Sequence, residues 1–271
     1  MKELEQIEML ILLEGIYQYY GFDFRNYNRS SIHRRVKHRV AEEKLSSISA
    51  LLDKVLHDPA ALERLLSDFS ISVTEMFRDP SFFSSFRTQV VPLLRNYSHI
   101  RIWLAGCSTG EEVFSLAILL HEEDLYQKTR IYATDMNGQS LEKAKQGRIM
   151  LKNMKHYTQN YLQAGGKAAF SEYYSVHHEH AVFHARLLEN VLFAQHNLVT
   201  DRSFNEFHVI LSRNVLIYFN KILQKRVVDL FYDSLITNGI LGLGSKEELS
   251  DSEKERKFSI LHAKEKLYCK V

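Results

Sequence analysis

At 271 residues, 45% apolar and 25% charged, the chain is long enough for one large α/β domain with a smaller appendage. Three prolines, Pro59, Pro80 and Pro92, exclude long Pro-rich linkers, and no run approaches the roughly 20 apolar residues of a membrane span. A net charge near +2 places no global demand for a nucleic-acid partner, and two cysteines, Cys107 and Cys269, exclude a secreted disulfide framework. Glu3, Glu5, Glu8 and Glu14 break the apolar run at the amino terminus before it reaches signal-peptide length, so a cytoplasmic protein is expected.

Residues 1–80 read as all-helical, with helices predicted at Glu3–Tyr20, Ser31–Glu43, Ser47–Leu56 and Asp58–Phe69. Ser31, Ser47 and Asp58 are the expected N-caps, the last with Pro59 at the first helical position. Between Arg25 and Arg39 lie Arg25, Arg29, Arg34, Arg35, Lys37 and Arg39 without one acidic residue. Ile32, Val36 and Val40 form a buried stripe at i, i+4, i+8, leaving the cations on other faces. Such a patch is either a solvated helix face or a docking face for an acidic partner. Aromatic residues suited to stacking on bases are sparse, so nucleic acid is not expected.

From about Phe82 a connecting helix leads into alternating strands and helices. Strands are predicted at Ile100–Ala105, Arg130–Thr134, Val191–Gln195, Phe207–Ser212 and Ile240–Gly244, and helices at Glu111–Leu120, Gln139–Gln146 and Lys221–Ile236. Strands spaced by helices imply a parallel sheet covered on both faces. Residues 170–185 alternate without a helix and suggest a small antiparallel insertion. Lys257–Ala263 and Lys266–Val271 read as a terminal hairpin.

The chemistry concentrates where the first strand ends. Gly106–Cys107–Ser108–Thr109–Gly110 matches G-x-S-x-G, the nucleophile elbow of hydrolases, and loosely the glycine turn of nucleotide folds. Asp135, at the tip of the next strand, fits an acceptor for the ribose hydroxyls of an adenosine, with a turn-capping role as the plainer alternative. No HGGG-type oxyanion segment accompanies the elbow. Glu111 and Glu112 open the following helix, where they either cap it or accept a ligand ammonium and repel a phosphate. S-adenosylmethionine, an adenosine with a sulfonium and an amino-acid tail but no phosphate, fits that pattern. His177, His178, Glu179, His180 and His184 raise a metal reading, with His178 and His180 sharing a strand face, but no Cys lies nearby and a solvated hairpin, with no metal, is the expected reading.

In chain order stand a basic helical segment, TEMFRDPSFF (Thr74–Phe83), IWLAGCSTGEE (Ile102–Glu112), YATDMN (Tyr132–Asn137), HNL (His196–Leu198) and LSRNVLIYF (Leu211–Phe219). In this combination the chain resembles the chemotaxis receptor methyltransferases, the CheR family, over nearly its whole length. The resemblance implies an α/β, Rossmann-like, S-adenosylmethionine-dependent methyltransferase sheet of seven strands at residues 81–271. It also implies an all-helical receptor-docking domain at residues 1–80 and a small antiparallel β insertion at about 165–190. The implied activity is methyl transfer from S-adenosylmethionine to receptor glutamates, leaving S-adenosylhomocysteine. A non-catalytic signalling module of the same fold is the alternative.

Carried over by position, the implied cofactor contacts are Thr74, Arg78, Gly106, Glu112, Asp135, Asn197, Leu198, Arg213 and Asn214. Arg78 and Tyr218 would face the transferring methyl, and Arg34, Arg35, Lys37 and Arg39 would dock the acidic helical cytoplasmic region of a chemoreceptor. A monomer without membrane insertion is expected. Where the family usually has Asn, Pro and Asp, this chain has Ser72, Val113 and His208; Met76 stands in the family's Phe pair, and the Gly-His-Ser-Glu rim reads Gly244–Ser245–Lys246–Glu247.

Overall fold

A computed structural model describes residues 3–69, 74–250 and 257–271, so Ser72 lies outside the described residues. The chain divides into two compact units. One comprises residues 1–71, 197–202 and 216–227; the other comprises residues 72–196, 203–215 and 228–271.

The first unit is built on α1 (Glu3–Tyr20), α2 (Arg29–Glu42), α3 (Ile48–His57) and α4 (Pro59–Phe69). Ser47 caps α3 by accepting the Ala50 N–H, and Asp58 does the same for Ala60 at the start of α4. The N-cap of α2 is Asn28 rather than Ser31: its side-chain oxygen accepts the Ser31 N–H, which starts the helix nearly one turn earlier than predicted. Leu12, Ile16, Val36, Leu51, Val55 and Leu65 form the fully buried centre. Residues 216–227 join through an antiparallel bridge of Tyr27 with Phe219, whose rings meet edge to face at 4.9 Å.

The second unit carries a mixed seven-stranded sheet among the described residues. In chain order its helices and strands are α5 (Pro80–Ser85), α6 (Val91–Leu94), β1 (Ile100–Ala105), α7 (Glu111–Glu122), β2 (Thr129–Asp135), α8 (Gly138–Gln146), β3 (Arg148–Met150), α9 (Leu151–Gln163), β4 (Tyr174–His177), β5 (His180–Phe183), β6 (Val191–Gln195), β7 (Phe207–Ser212), the part of α10 (Lys221–Ser234) from residue 228 onward, β8 (Leu235–Leu243), β9 (Phe258–His262) and β10 (Leu267–Lys270). The sheet order is β6-β2-β1-β7-β8-β10-β9, parallel through β8 and antiparallel at β10 and β9, where the terminal hairpin was expected. β8 begins at Leu235, five residues ahead of the predicted strand.

Both faces of the central strands are covered, which is why β1 and β7 read as near-continuous apolar runs. Ile100, Ile102 and Leu104 join α7 and residues 82–94 on one face. Trp103 turns to the other, against Phe204, Phe207 and Phe231, with its indole N–H donated to Thr134 Oγ1 at 2.8 Å.

The antiparallel insertion is the three-stranded sheet β3-β5-β4. Its first strand lies ahead of the span read from the sequence, and α9 was not predicted. Glu122 at the end of α7 anchors the segment that follows α9, accepting Tyr173 Oη and the Lys167 N–H at 2.9 Å each, together with Tyr161 Oη and Arg87. His178 sits in the β4–β5 turn with positive φ, not on a strand face beside His180. Among the described residues no cluster of three or more His, Cys, Asp or Glu could hold a metal ion. No described helix is long and apolar enough to cross a membrane.

Acid stability of the helical unit turns on Glu43. Its carboxyl is held down to about 2, first by the Arg64 hydrogen bond at 2.8 Å and then, against the cost of burial, by Lys54. A depressed carboxylate stabilises above its unfolded pKa, and that contribution is lost as pH falls from about 4.5 toward 2. Allowing for the exposure of Arg64, it amounts to about 2 kcal/mol. Urea midpoints of Glu43→Gln should therefore fall below those of the parent at pH 6 and converge with them near pH 2.

Candidate active site

The site of the second unit forms where β1 and β2 end. β1 runs into a turn whose backbone is left-handed at Gly106 (φ 89°), Ser108 (φ 50°) and Gly110 (φ 95°). At Gly110 a Cβ would also lie 2.9 Å from Ala144 Cβ, so glycine is required there twice over. The turn is pinned to β2 by Asp135. One carboxylate oxygen accepts the Ser108 N–H and the other the Asn137 N–H, each at 2.9 Å. Burial pushes the Asp135 carboxyl above the usual range, opposed by these backbone donors. Asn137, not Asp135, caps α8. With the Met136 N–H also bonded to it, the carboxylate accepts three backbone donors and keeps about one acceptor site for a ligand hydroxyl, so the turn-capping and ribose readings are compatible.

Glu111 and Glu112 begin α7. Glu111 accepts Thr109 Oγ1 at 2.7 Å, and burial raises its carboxyl. Glu112 accepts from Arg213 at 3.1 Å. Arg213 follows β7 and is buried, its guanidinium stacked 4.2 Å from the Phe82 ring. Besides Glu112 it donates to the Arg78 carbonyl at 2.7 Å and to Asp79 at 2.8 Å; its Nε is buried without a hydrogen-bond partner. One side chain thus joins the 74–79 segment, the start of α7 and the loop after β7.

The same loop is held from behind. Glu247 accepts the N–H of Asn214 at 2.8 Å and of Gly244 at 2.6 Å, and Asn214 is left-handed at φ 62°. The altered rim therefore keeps the glutamate that fixes Asn214. Phe77 and Asp79 are left-handed as well, and the Phe77 N–H is satisfied by Ser115 Oγ at 2.8 Å. The other family departures are absorbed locally: Met76 and Val113 are fully buried, while His208 accepts the Arg101 N–H at 3.1 Å and meets Tyr97 edge to face.

Thr74, Arg78, Gly106, Glu112, Asp135, Arg213 and Asn214 thus share the second unit. Asn197, Leu198 and Tyr218 belong to the first. Asn197 shapes its own turn, accepting the Val199 N–H at 3.0 Å. Tyr218 lies beside Arg35, whose guanidinium is 5.3 Å from its ring centre, and its carbonyl accepts the Asn28 N–H.

The basic helix departs most from its expected form. Arg35 is buried and donates to the Asp68 and Phe69 carbonyls at 2.5 and 2.7 Å, closing the C-terminus of α4. Arg39 grips Asp68 through two bonds of 2.7 and 2.8 Å. Both are internal struts rather than members of an exposed docking face. Arg34 and Lys37 remain exposed, the latter 3.1 Å from Glu5.

The polar groups converging on the turn are carboxylates, and the one buried cation among them is matched by two of these. Asp79 and Glu112 against Arg213 leave a net charge of −1. That donor set suits a cationic adenosine ligand and opposes a pyrophosphate. Fold and site together define an S-adenosylmethionine-dependent methyltransferase.

Residues 72–267 match the family described as CheR methyltransferase, SAM binding domain, and residues 7–70 match CheR methyltransferase, all-alpha domain. The chain is 47% identical over 264 residues to a Pseudomonas putida protein that carries the name methyltransferase Cher3, covering 97% of each. It is 28% identical to a chemotaxis protein methyltransferase of Listeria innocua, over 84% of this chain and 85% of that one. With the chemotaxis protein methyltransferase of Escherichia coli it shares 26% identity, over 90% of this chain and 85% of that one. The chain belongs to the CheR methyltransferase family.

Removing the Asp135 carboxylate should release the turn and any ribose hydroxyls together. Hydrogen bonds to charged groups contribute roughly 1.5–3 kcal/mol each, so Asp135→Ala should lose at least tenfold in affinity for S-adenosylhomocysteine by calorimetry. Unchanged affinity in the folded variant would remove the ribose assignment.

Proposed function

We propose that the protein methylates glutamate side chains of a chemoreceptor, forming methyl esters. The observation that supports this most is the carboxylate-rich turn that Arg213 ties to the Arg78 segment. A glutamate, with a reference pKa of about 4.3, is already an anionic nucleophile at neutral pH and needs no general base. Bound S-adenosylmethionine supplies an electrophilic methyl on a sulfonium. The protein's part is alignment and partial desolvation of the incoming carboxylate.

In this reading Asp135 holds the ribose, Glu112 accepts the ammonium of the amino-acid tail, and Thr74, Gly106, Asn197, Leu198 and Asn214 complete the cofactor contacts. Arg213 acts at one remove, fixing Glu112 and the backbone of Arg78. Arg78 orients the substrate carboxylate. A contact there must be loose, because a tight ion pair would quench the nucleophile.

Arg34 and Lys37, with Arg29 in the first turn, are exposed cations of α2 available to meet an acidic helical receptor surface. Incubation with labelled S-adenosylmethionine and receptor cytoplasmic fragments should yield a base-labile methyl ester; a non-catalytic module would bind the cofactor and form none. Arg34→Glu with Lys37→Glu should lower receptor methylation severalfold and blunt its salt dependence, with affinity for S-adenosylhomocysteine preserved. Methylation insensitive to both changes would assign this face to solvent.

Tyr218 is proposed to act on the transition state. Tyr218→Phe should slow turnover about 5–30-fold, equivalent to one hydrogen bond of roughly 1–2 kcal/mol, with cofactor affinity nearly unchanged. A variant that loses affinity at intact turnover would make Tyr218 a binding residue instead.

A further inference from the structure

Beside the β1–α7 turn, on the side of the insertion, lies a second concavity that the cofactor assignments do not use. It has a volume of about 430 Å³ and is lined by Thr109 and Glu111 of the turn, Lys143 and Gln146 of α8, Arg148, Ile149 and Met150 of β3, Asn153 of α9 and His180 of β5. Lys143 and Arg148 are exposed, and neither makes an ion pair or side-chain hydrogen bond with the described residues. Their neighbours differ: Lys145 is paired with Glu142 at 2.6 Å. Glu111, the carboxylate on this wall, is already engaged by Thr109 at 2.7 Å.

We infer that this cleft binds the acidic polypeptide that flanks the methylated glutamate, a subsite that rests on the glutamate-methylation reading above. Three features select that occupant. The two unpartnered cations come from different elements, α8 and β3, with His180 contributed by a third, so the cleft offers positive charge to an acidic ligand from more than one wall. Gln146 and Asn153 add neutral amide groups, and Ile149 and Met150 supply an apolar lining, a mixture suited to a chain with both backbone and side chains to place. Glu111 in the cleft is the direct chain neighbour of Glu112, so a segment held there lies against the turn that carries the cofactor carboxylates. Polypeptide affinity and register would then come from the junction of core and insertion, separately from the α2 face.

A fluorescein-labelled hexaglutamate peptide tests this without requiring catalysis. Its anisotropy should report binding to the intact protein, and Lys143→Gln with Arg148→Gln should weaken that binding at least fivefold, with Lys143→Glu and Arg148→Glu weakening it further. Affinity for S-adenosylhomocysteine should stay within twofold in both variants, which also certifies that they fold. With a receptor fragment as substrate, the same changes should raise KM for the fragment and leave kcat within twofold. Peptide affinity unchanged in the variants, or no binding by the parent protein, overturns the proposal. Displacement by inorganic phosphate well beyond that by chloride at equal ionic strength also overturns it, identifying a small-anion site. Peptide bound through Lys143 and Arg148 with no ester formed on any receptor fragment would overturn the glutamate reading while leaving an acidic-peptide cleft.

Discussion

The buried guanidinium of Arg213 is the constraint on which the rest of the second unit's site depends. From the loop after β7 it touches the segment before α5 and the start of α7, three pieces that are remote in the chain. Burying an isolated guanidinium is prohibitive; burying it against two carboxylates, a carbonyl and an aromatic face is tolerable. Such a pair adds little net stability compared with apolar packing of the same volume. Its value is geometric. A cation with directional donors admits one arrangement of its acceptors, whereas an apolar plug would admit several.

This arrangement also sets the sign of the site. Two carboxylates answering one cation leave these three groups with a net negative charge, next to a turn whose Ser108 N–H is committed to Asp135 and whose Gly106 and Cys107 N–H groups are committed to the Thr134 carbonyl. The usual attraction of a helix N-terminus for anions is therefore countermanded by Glu111 and Glu112. The helical unit applies the opposite policy to its arginines. Arg35 and Arg39 satisfy carbonyls and a carboxylate inside the unit, and only part of a strongly basic sequence reaches solvent as positive charge.

Much of this was legible in the sequence because hydrophobic period and turn residues are local signals. β1 and β7 fall on their predicted residues because a strand covered on both faces is apolar nearly throughout, the edge strand β6 also falls on its predicted residues, and Ser47 and Asp58 cap as a short polar side chain before an apolar run should. What escaped prediction depends on partners remote in sequence. β3 is three residues long and exists only because β5 pairs with it. α9 buries Met154, Tyr157, Asn160 and Tyr161 in a stripe too polar to stand out before its neighbours are known. Arg35 looks like any exposed cation until α4 ends against it. The family motifs named the site residues, but not that Arg213 would be spent inside the protein.

The left-handed backbones at Phe77, Asp79, Ser108 and Asn214 carry a consequence for how this chain can change. Each costs of order 1 kcal/mol that a glycine would not incur, and β-branched residues are all but barred from such conformations. Glycine would relieve that strain at Ser108, but at Phe77 it would empty a fully buried ring position and at Asp79 it would remove a partner of Arg213, so the strain is kept by what the side chains do. Stability gained there trades directly against order in the cleft, and durable variants of this fold should arise elsewhere in the chain.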